Sequence, residues 1–417
     1  MPTKLASGET LTVLAELGFL VRKFTLNSST LNGTDVLDGT LEGEDISAFC
    51  YEVSVSRGRQ DQLQTFSAGT CRLVLNNNDR RFDPINETSP YWDASEGRSG
   101  VTPRRLVTVT VGSETIFTGR ITDISLDYAT GKSTDISTVE INCADDFVTL
   151  ANTVTTADRT PTSQLTGARV SAVLAFSEVD YDGDTDIDTG TATLGTQTIA
   201  ANTNVIQYLQ DVATAEQGNF FVARDGTLTF TDRVASAFAA VSAAFKDDAA
   251  IRYTTLGVSF GQELFYNKVV ATRDGGTPQT ANDATSQATW GITTLALSGL
   301  LFSTDAQAAT LAADLLDRYK EPLYRFDSLG VFVSGLAAAD RATVNGLELG
   351  DVVTVERNYL VGSPLTVTEY QSIERISHTI TPGAHRAEFR LGTAEIVFQL
   401  LLDDATFGTL DGDNALA

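Results

Sequence analysis

Apolar and polar residues alternate in several short runs between residues 49 and 152. The clearest run is VTVTV at residues 107–111, and the apolar run Leu73–Leu75 is followed at once by the polar run Asn76–Asp79. A period of two predicts strands that bury one face, and the Gly, Asn and Pro residues between the runs predict turns. We therefore predict a β-rich domain over residues 49–152.

Between residues 153 and 265 the pattern changes to a mixture of helices and strands. Asn204 precedes a one-sided apolar stripe, Gln207 stands in the capping-box position, and Gly218 is a natural helix end. Two short apolar runs then flank an Asp-Gly turn within residues 220–230, which predicts a β-hairpin. These features predict an α+β domain.

Residues 266–400 predict a second β-rich domain that contains one strong helix. Thr304 and Gln307 form a capping box in front of an apolar stripe that includes Leu311, so a helix is predicted over residues 304–320. The apolar runs predict strands at 267–273, 328–333, 351–356, 365–368, 373–380 and 385–391.

The two ends of the chain differ from these domains. Residues 1–48 are polar and rich in turn residues, which predicts an extended arm or a segment that docks on a neighbour, and residues 401–417 form an acidic tail. The expected fold class is mainly β with α+β insertions. The expected architecture is multidomain, built of β-barrel or sandwich domains with a few helices.

Charge limits the range of partners. The chain has 54 acidic and 29 basic residues and a net charge of −25. Stable nucleic-acid binding is disfavoured because phosphate contacts need clustered Lys and Arg. The acidity indicates either simple solubility or a surface that repels DNA passing nearby. No apolar run is long enough to span a bilayer, and the N-terminus lacks the pattern of an export signal, so we expect neither a membrane segment nor secretion.

The three cysteines do not have the spacing of a metal or redox site. Cys50, Cys71 and Cys143 are far apart in sequence and form no CxxC pair. Unpaired cysteines are usually buried, so we expect free thiols inside strands, which suits assembly in a reducing cytosol.

The acidic run at residues 180–188 is the best candidate for a metal site. Asp182, Asp184 and Asp186 alternate as calcium-loop ligands do. Ile187 stands where such a loop has glycine and Thr193 where it has a bidentate glutamate, so a solvated acidic turn is the favoured interpretation.

No motif predicts catalysis or a bound cofactor. The chain has two histidines, His378 and His385, both within expected strands, and it has neither a GxSxG nucleophile motif nor a phosphate-binding glycine motif. We expect no catalytic residue and no cofactor. A pair of carboxylates for glycan cleavage stays open, because acidic residues are common here.

Six arginines stand out in this acidic chain as candidates for an assembly interface: Arg57, Arg59, Arg80, Arg81, Arg104 and Arg105. Either they form a solvated face, or they pair with carboxylates of the next subunit and fix its register. On the second interpretation, charge reversal at Arg57 impairs assembly without lowering the melting temperature of the monomer.

Several motifs, taken in order, resemble the minor tail proteins of long-tailed bacteriophages, in particular the tail-tip or baseplate hub proteins. The resemblance covers roughly residues 50–393. Its main motifs are Ser56–Arg59, Leu75–Asp79 with Arg81–Pro84, Phe117–Gly119, Asn267–Val269, Arg318–Pro322, Leu349–Val353 and Pro382–Arg386.

The resemblance implies a structural role in the tip of a virion tail assembled in the host cytoplasm. A hub of this kind is a C3 homotrimer around the tail axis. It joins the distal tail protein and the tube to the tip fibres, receives the tape-measure protein and lines the channel for DNA ejection. Two alternatives stay open: a distal tail ring of six copies, and a tip-associated cell-wall hydrolase or glycan-binding module.

Overall fold

The protein is described by a computed structural model that covers residues 3–17, 43–94, 97–128, 137–179, 181–233, 240–249 and 251–394, with two short strands at 398–399 and 414–415. These residues are mostly β-structure with a few helices, which confirms the predicted fold class. No helix among them is long and apolar enough to cross a membrane.

The bounds of the elements are as follows. The strands are β1 (Thr3–Lys4), β2 (Thr10–Ala15), β3 (Glu44–Asp45), β4 (Cys50–Gly58), β5 (Ser67–Asn76), β6 (Trp92–Asp93), β7 (Arg98–Ser99), β8 (Leu106–Val111), β9 (Glu114–Asp127), β10 (Thr138–Ala144), β11 (Gln164–Leu165), β12 (Thr185–Ile187), β13 (Thr193–Leu194), β14 (Asn219–Val222), β15 (Leu228–Thr231), β16 (Val241–Lys246), β17 (Ile251–Arg252), β18 (Thr255–Phe260), β19 (Lys268–Arg273), β20 (Gln279–Asn282), β21 (Thr294–Leu300), β22 (Tyr324–Val331), β23 (Val352–Asn358), β24 (Thr366–Thr381), β25 (Ala384–Thr393), β26 (Phe398–Gln399) and β27 (Asn414–Ala415). The helices are α1 (Phe147–Ala151), α2 (Thr166–Leu174), α3 (Val205–Glu216), α4 (Ala284–Trp290), α5 (Asp305–Tyr319) and α6 (Ala338–Gly346).

One sheet of fifteen strands holds most of the β-structure. Its main order is β1-β2-β8-β9-β10-β5-β4-β24-β23-β16-β17, and β25, β22 and β18 continue from the other edge of β24. Within the described part of the chain the sheet does not close into a barrel. The barrel named among the expected architectures is therefore absent from this region.

Strand β24 joins the two halves of the sheet. Along one edge it pairs with β25, while along the other Arg375–Ile380 pair with β4 and Thr366–Ser372 pair with β23. Strands from the two predicted β-rich domains thus share one sheet. The predicted boundaries at residues 152 and 265 stay a prediction.

The described part of the first 48 residues belongs to this sheet. Strand β2 pairs with β1, β3 and β8, and its Leu11, Val13 and Ala15 are buried. Residues 18–42 and almost all of the predicted tail at 401–417 lie outside the described residues. A role of the N-terminal segment in docking on a neighbour stays a prediction.

Two hydrophobic cores follow from the alternation of apolar residues. The first lies under the N-terminal strands and includes Val13, Leu73, Val109 and Ile141. The second packs helices α3 and α5 against strands and is larger, with Leu209, Leu311, Phe230 and Phe389 among its members. Each fully buried apolar side chain of this size contributes about 1.5–3 kcal/mol relative to an exposed one.

Both N-caps are confirmed, and Oγ1 of Thr304 accepts from the backbone N–H of Gln307 at 3.4 Å. The side chains of Gln207 and Gln307 bond to Asp211 and Ser303 instead of completing the predicted capping boxes. The Asn204 side chain accepts from the backbone N–H of Gln207 at 3.2 Å, and α3 begins at the next residue after the cap. The same helix ends where Gln217 adopts a left-handed φ of 58°. Gly218 follows, where a Cβ atom would lie 2.1 Å from the carbonyl oxygen of Thr231. Glycine is required at position 218 because strand β15 passes too close for a side chain.

The differences from the predictions include two helices and one strand. Helices α4 and α6 were not predicted, since both are short and lack a long apolar stripe. The two strands predicted at 365–368 and 373–380 form the single strand β24, because the polar residues between them keep their backbone bonds to β23. The expected buried free thiols are confirmed for all the cysteines.

Candidate assembly surface and buried arginine network

Arg57 and Arg59 both turn into the protein interior, on either side of Gly58. Arg57 has 3% of its surface exposed, and its Nη1 donates to Oε1 of Glu348 at 2.6 Å. Arg59 donates from Nε to Oε2 of Glu374, also at 2.6 Å. Both arginines therefore pair with carboxylates of their own chain.

The carboxylate of Glu348 extends this pairing to two further segments. Its Oε2 accepts from the backbone N–H of Arg224 at 2.8 Å, and Nη1 of Arg224 donates to Oε2 of Glu114 at 2.8 Å. We call Arg57, Glu348, Arg224 and Glu114 the Arg57 network. Its members come from all three predicted domains, so it fixes how these parts of the chain meet. A role of Arg57 in assembly stays a prediction.

Arg80 and Arg81 pair within their own loop. Nη2 of Arg80 lies 2.7 Å from Oδ2 of Asp83, and Nη2 of Arg81 lies 2.6 Å from Oδ2 of Asp79. The guanidinium of Arg81 also stacks on the ring of Phe49, 3.9 Å from its centroid. These pairs hold the loop after β5, and they leave the exposed Arg80 available to a partner.

Arg104 and Asp182, two residues singled out in the sequence, line the same surface cleft. The cleft encloses about 410 Å³. It lies between the start of β8, the residues before α1 and the loop before β12. We call it the Arg104–Asp182 cleft, and its polar lining residues include Arg104, Arg120, Asp146, Asn152, Tyr181 and Asp182. Arg105, next to Arg104, is half-buried and its backbone continues the pairing of β8 with β9.

Asp182, Asp184 and Asp186 of the acidic run are not gathered into one cluster in the structure. Asp186 lies in strand β12 opposite Thr229, and the backbone carbonyl of Asp184 accepts from Leu228. Among the described residues, no group of three or more His, Cys, Asp or Glu side chains could hold a metal ion. Residue 180 lies outside that range. The run serves instead as a short parallel strand.

An apolar turn projects from the sheet between β23 and β24. Leu360 is 99% exposed, Val361 is 83% exposed and Leu365 is 55% exposed. We call these three residues the hairpin tip. The neighbouring Tyr359 bonds through its hydroxyl to that of Tyr324 at 2.5 Å, so the base of the turn is anchored on strand β22. Contiguous exposed apolar residues of this kind mark contact sites with other molecules.

Strand β18 gives this region an open backbone edge. It pairs with β22 alone among the described strands. Its Phe260 lies opposite Tyr324 and is 66% exposed. An uncovered edge with an exposed aromatic residue is a template for a strand from another chain. The hairpin tip and the β18 edge meet at Tyr324, and together they form the candidate assembly surface.

Sequence reasoning missed this surface. Leu365 was assigned to a strand, and Leu360 and Val361 were not singled out. The sequence feature that could have revealed the hairpin tip is the apolar pair Leu360 and Val361, which is followed by Gly, Ser and Pro. The exposure of Phe260 depends on which strands cover β18, and a local pattern does not encode that.

The two histidines form a buried pair instead of a catalytic group. Nδ1 of His378 lies 3.0 Å from Nε2 of His385, and both side chains are buried between β24 and β25. Burial, the neighbouring His385 and the Arg57 charge hold the pKa of His378 well below its usual value. Burial lowers the pKa of His385 to about 4. Both rings are therefore neutral in the folded protein at neutral pH.

This pair is expected to make the fold acid-sensitive. The unfolded chain protonates each histidine near pH 6.5, whereas the folded chain resists, so stability falls as the pH drops from about 6.5 towards 4. His385→Gln should reduce the loss of unfolding free energy between roughly pH 8 and pH 5 by about 2 kcal/mol. Urea denaturation at both pH values measures it.

The carboxyl of Asp145 has the opposite effect on the pH dependence of stability, because burial raises its pKa to about 7. It is present in both proteins, so its contribution cancels in the comparison. An identical pH dependence of wild type and His385→Gln would contradict the assignment to the histidine pair.

Comparison with known proteins gives matches to structures only. No family model matches the chain, and no curated protein sequence matches it significantly. The tail protein from Neisseria meningitidis MC58 is 11% identical with a TM-score of 0.58, covering 91% of this chain and 96% of that protein. The 43 kDa tail protein of prophage MuSo2 from Shewanella oneidensis is 12% identical with a TM-score of 0.53, covering 92% of this chain and 98% of that protein.

These matches extend over almost the whole of both chains, so they concern the arrangement of the entire fold. At such low identity they show a shared fold. This chain has the fold of phage tail proteins, and the resemblance seen in the sequence motifs is confirmed at that level.

Proposed function

We propose that this protein is a structural component of a phage tail and forms the hub at the tail tip or baseplate. The observation that carries the tail role is the likeness to two tail proteins over nearly the full length of each. Fold alone does not determine function. The surfaces of this chain add support, because they offer an apolar projection and an open strand edge, which are features of assembly.

The proposed assembly is a homotrimer around the tail axis. A closed ring needs one face of each subunit to fit a different face of its neighbour. The hairpin tip and the β18 edge supply one such face, since Leu360 and Phe260 are both strongly exposed. Arg80 exposes about 52% of its side chain in a chain of net charge −25, so carboxylates of a neighbouring subunit can approach it.

The proposed partners are other tail components. The hub would contact the distal tail protein on one side and tip fibres or further minor tail proteins on the other, and it would receive the tape-measure protein on the axis. Carboxylates facing the axis would keep DNA from adhering during ejection, because like charges repel at short range. The protein would thus reside in the virion tail tip after assembly in the host cytoplasm.

The decisive experiment is a cryo-EM reconstruction of the tail tip of the source particle. Three copies around the axis with an acidic channel would support the hub. Six copies would identify a distal tail ring instead. Absence of the chain from the particle would reject the tail role.

Leu360→Asp should abolish self-association without unfolding the protein. Leu360 is 99% exposed, so a charge there costs the monomer less than about 0.5 kcal/mol, yet it would be buried in the proposed contact. Sedimentation velocity should show trimers for the wild type and monomers for the variant, with equal melting temperatures.

The matched control for this variant is Ile292→Asp. Ile292 is 69% exposed and lies between α4 and β21, outside the hairpin tip and the β18 edge. It should associate like the wild type. If Leu360→Asp still forms trimers at the concentrations at which the wild type does, the hairpin tip is not part of the interface. If both variants dissociate, the effect of the added charge is nonspecific.

A further inference from the structure

The Arg104–Asp182 cleft has the size and lining of a small-molecule site. Its volume of about 410 Å³ falls in the range of about 300–1,000 Å³ typical of ligand pockets. Ile121 and Val148 contribute apolar surface to the lining, but most of the lining side chains are polar. The cleft therefore suits a ligand that forms hydrogen bonds.

The aromatic wall of the cleft is fixed in place. The ring of Tyr181 is half-buried, and its hydroxyl donates to the carbonyl oxygen of Asp184 at 3.2 Å. Burial raises the pKa of Tyr181, so the hydroxyl keeps its proton. Tyr181 also packs against the larger hydrophobic core, so the part of its ring that lines the cleft contacts a ligand at little entropic cost.

Arg104 is positioned at the rim by an unusual backbone. Its φ is 68°, a region that residues other than Gly, Asn and Asp seldom adopt. Its N–H donates to the carbonyl oxygen of Ile121 at 2.7 Å, which holds this conformation. The exposed guanidinium makes no ion pair with any described residue. Backbone strain of this kind often accompanies a functional position.

The charges around the cleft are nearly balanced. Nε of Arg120 donates to Oδ1 of Asp146 at 3.1 Å, so these two compensate each other. Arg104 and the exposed Asp182 remain, with opposite signs. Asp145 lies behind them and accepts from the backbone N–H groups of Gly69 and Phe147. An anion would meet carboxylates and a cation would meet Arg104, so the cleft favours a neutral ligand.

We propose that the Arg104–Asp182 cleft binds a neutral saccharide. Each hydroxyl of a sugar both donates and accepts, so a pair of adjacent hydroxyls can accept from Arg104 while donating to Asp182. The ring of Tyr181 would pack against the apolar face of the sugar. A peptide in extended form would need backbone partners along a strand, whereas this rim consists of side chains. The site is separate from the hairpin tip and does not depend on the proposed trimer.

The test is ligand-observed NMR on the full chain with chitotriose, maltotriose and galactobiose. At concentrations of about 10 mM, binding with a Kd in the millimolar range is detectable. We expect saturation transfer to at least one of them. Arg104→Ala and Asp182→Asn should each weaken that binding about tenfold.

The controls separate the saccharide from other ligands and the cleft from other surfaces. Arg72→Ala, on strand β5 and about 43% exposed, should bind like the wild type. Inorganic phosphate and a neutral tetraalanine peptide should bind more weakly than the saccharide. The proposal is overturned if none of the three saccharides binds, if phosphate or the peptide binds more tightly, or if the cleft variants bind unchanged. None of these outcomes bears on the number of subunits.

Discussion

Arg57→Ala should lower the unfolding free energy by about 3 kcal/mol, because it leaves the carboxylate of Glu348 without its strongest partner. Loss of one member of a buried ion pair typically costs about 3–5 kcal/mol. The lower end applies here because Glu348 is 22% exposed and regains some water. Urea denaturation followed by far-UV circular dichroism measures the effect.

Arg72→Ala is the matched control for this substitution. Arg72 lies on the neighbouring strand β5 and pairs with Glu52 and Glu140, but about 43% of its side chain is exposed. Exposed pairs contribute at most about 1 kcal/mol, so a small effect is expected. If both substitutions lowered the unfolding free energy by the same amount, burial of the Arg57 network would add nothing to stability.

The burial of Arg57 also changes the expectation for charge reversal. From the sequence, Arg57→Glu should impair assembly and leave the monomer intact. In the structure the new carboxylate would face Glu348 in a buried position, so the melting temperature should fall as well.

Gly58→Ala should lower the unfolding free energy by about 4 kcal/mol, which is the second of the two largest expected effects. Gly58 has a φ of 118°, which side chains of L-residues rarely permit. An added Cβ would also lie 2.2 Å from the carbonyl oxygen of Glu374 and 2.6 Å from Cα of Arg375. Backbone strain and overpacking each typically cost about 1–3 kcal/mol, and strand β24 cannot retreat without breaking its pairing with β4.

Gly383→Ala provides the comparison for the glycine. Gly383 lies in the turn between β24 and β25, and an added Cβ would meet nothing within 4 Å. This substitution should be neutral or stabilise by up to about 1 kcal/mol through the unfolded state. If Gly58→Ala unfolds at the same urea concentration as the wild type, the close approach of β4 and β24 is not rigid.

The backbone conformation at Gly58 also determines where the two neighbouring arginines point. The pairing of β4 with β5 shifts register between Ser56 and Gly58, and Arg59 follows after the strand ends. The irregular backbone lets Arg57 and Arg59 reach Glu348 and Glu374, which lie on different segments. Residues two apart on a strand share a face, and both arginines turn inward, towards carboxylates that lie far away in the sequence.

The sequence by itself determined the local structure of this protein. Period-two runs such as residues 107–111 predict strands, and capping residues such as Asn204 and Thr304 predict where helices begin, because both depend on neighbours a few residues away. These signals were enough for the mainly β fold class, whereas the tail-protein resemblance rests on the ordered motifs between residues 50 and 393.

Only the tertiary structure decided which distant residues meet. The pairing of β24 with both β4 and β23 brings Arg57 to Glu348, and the packing of α1 against the strands brings Arg104 and Asp182 to one cleft. The exposed edge of β18 is likewise a property of the whole sheet. Sheet order and register arise from long-range packing, which local periodicity does not encode.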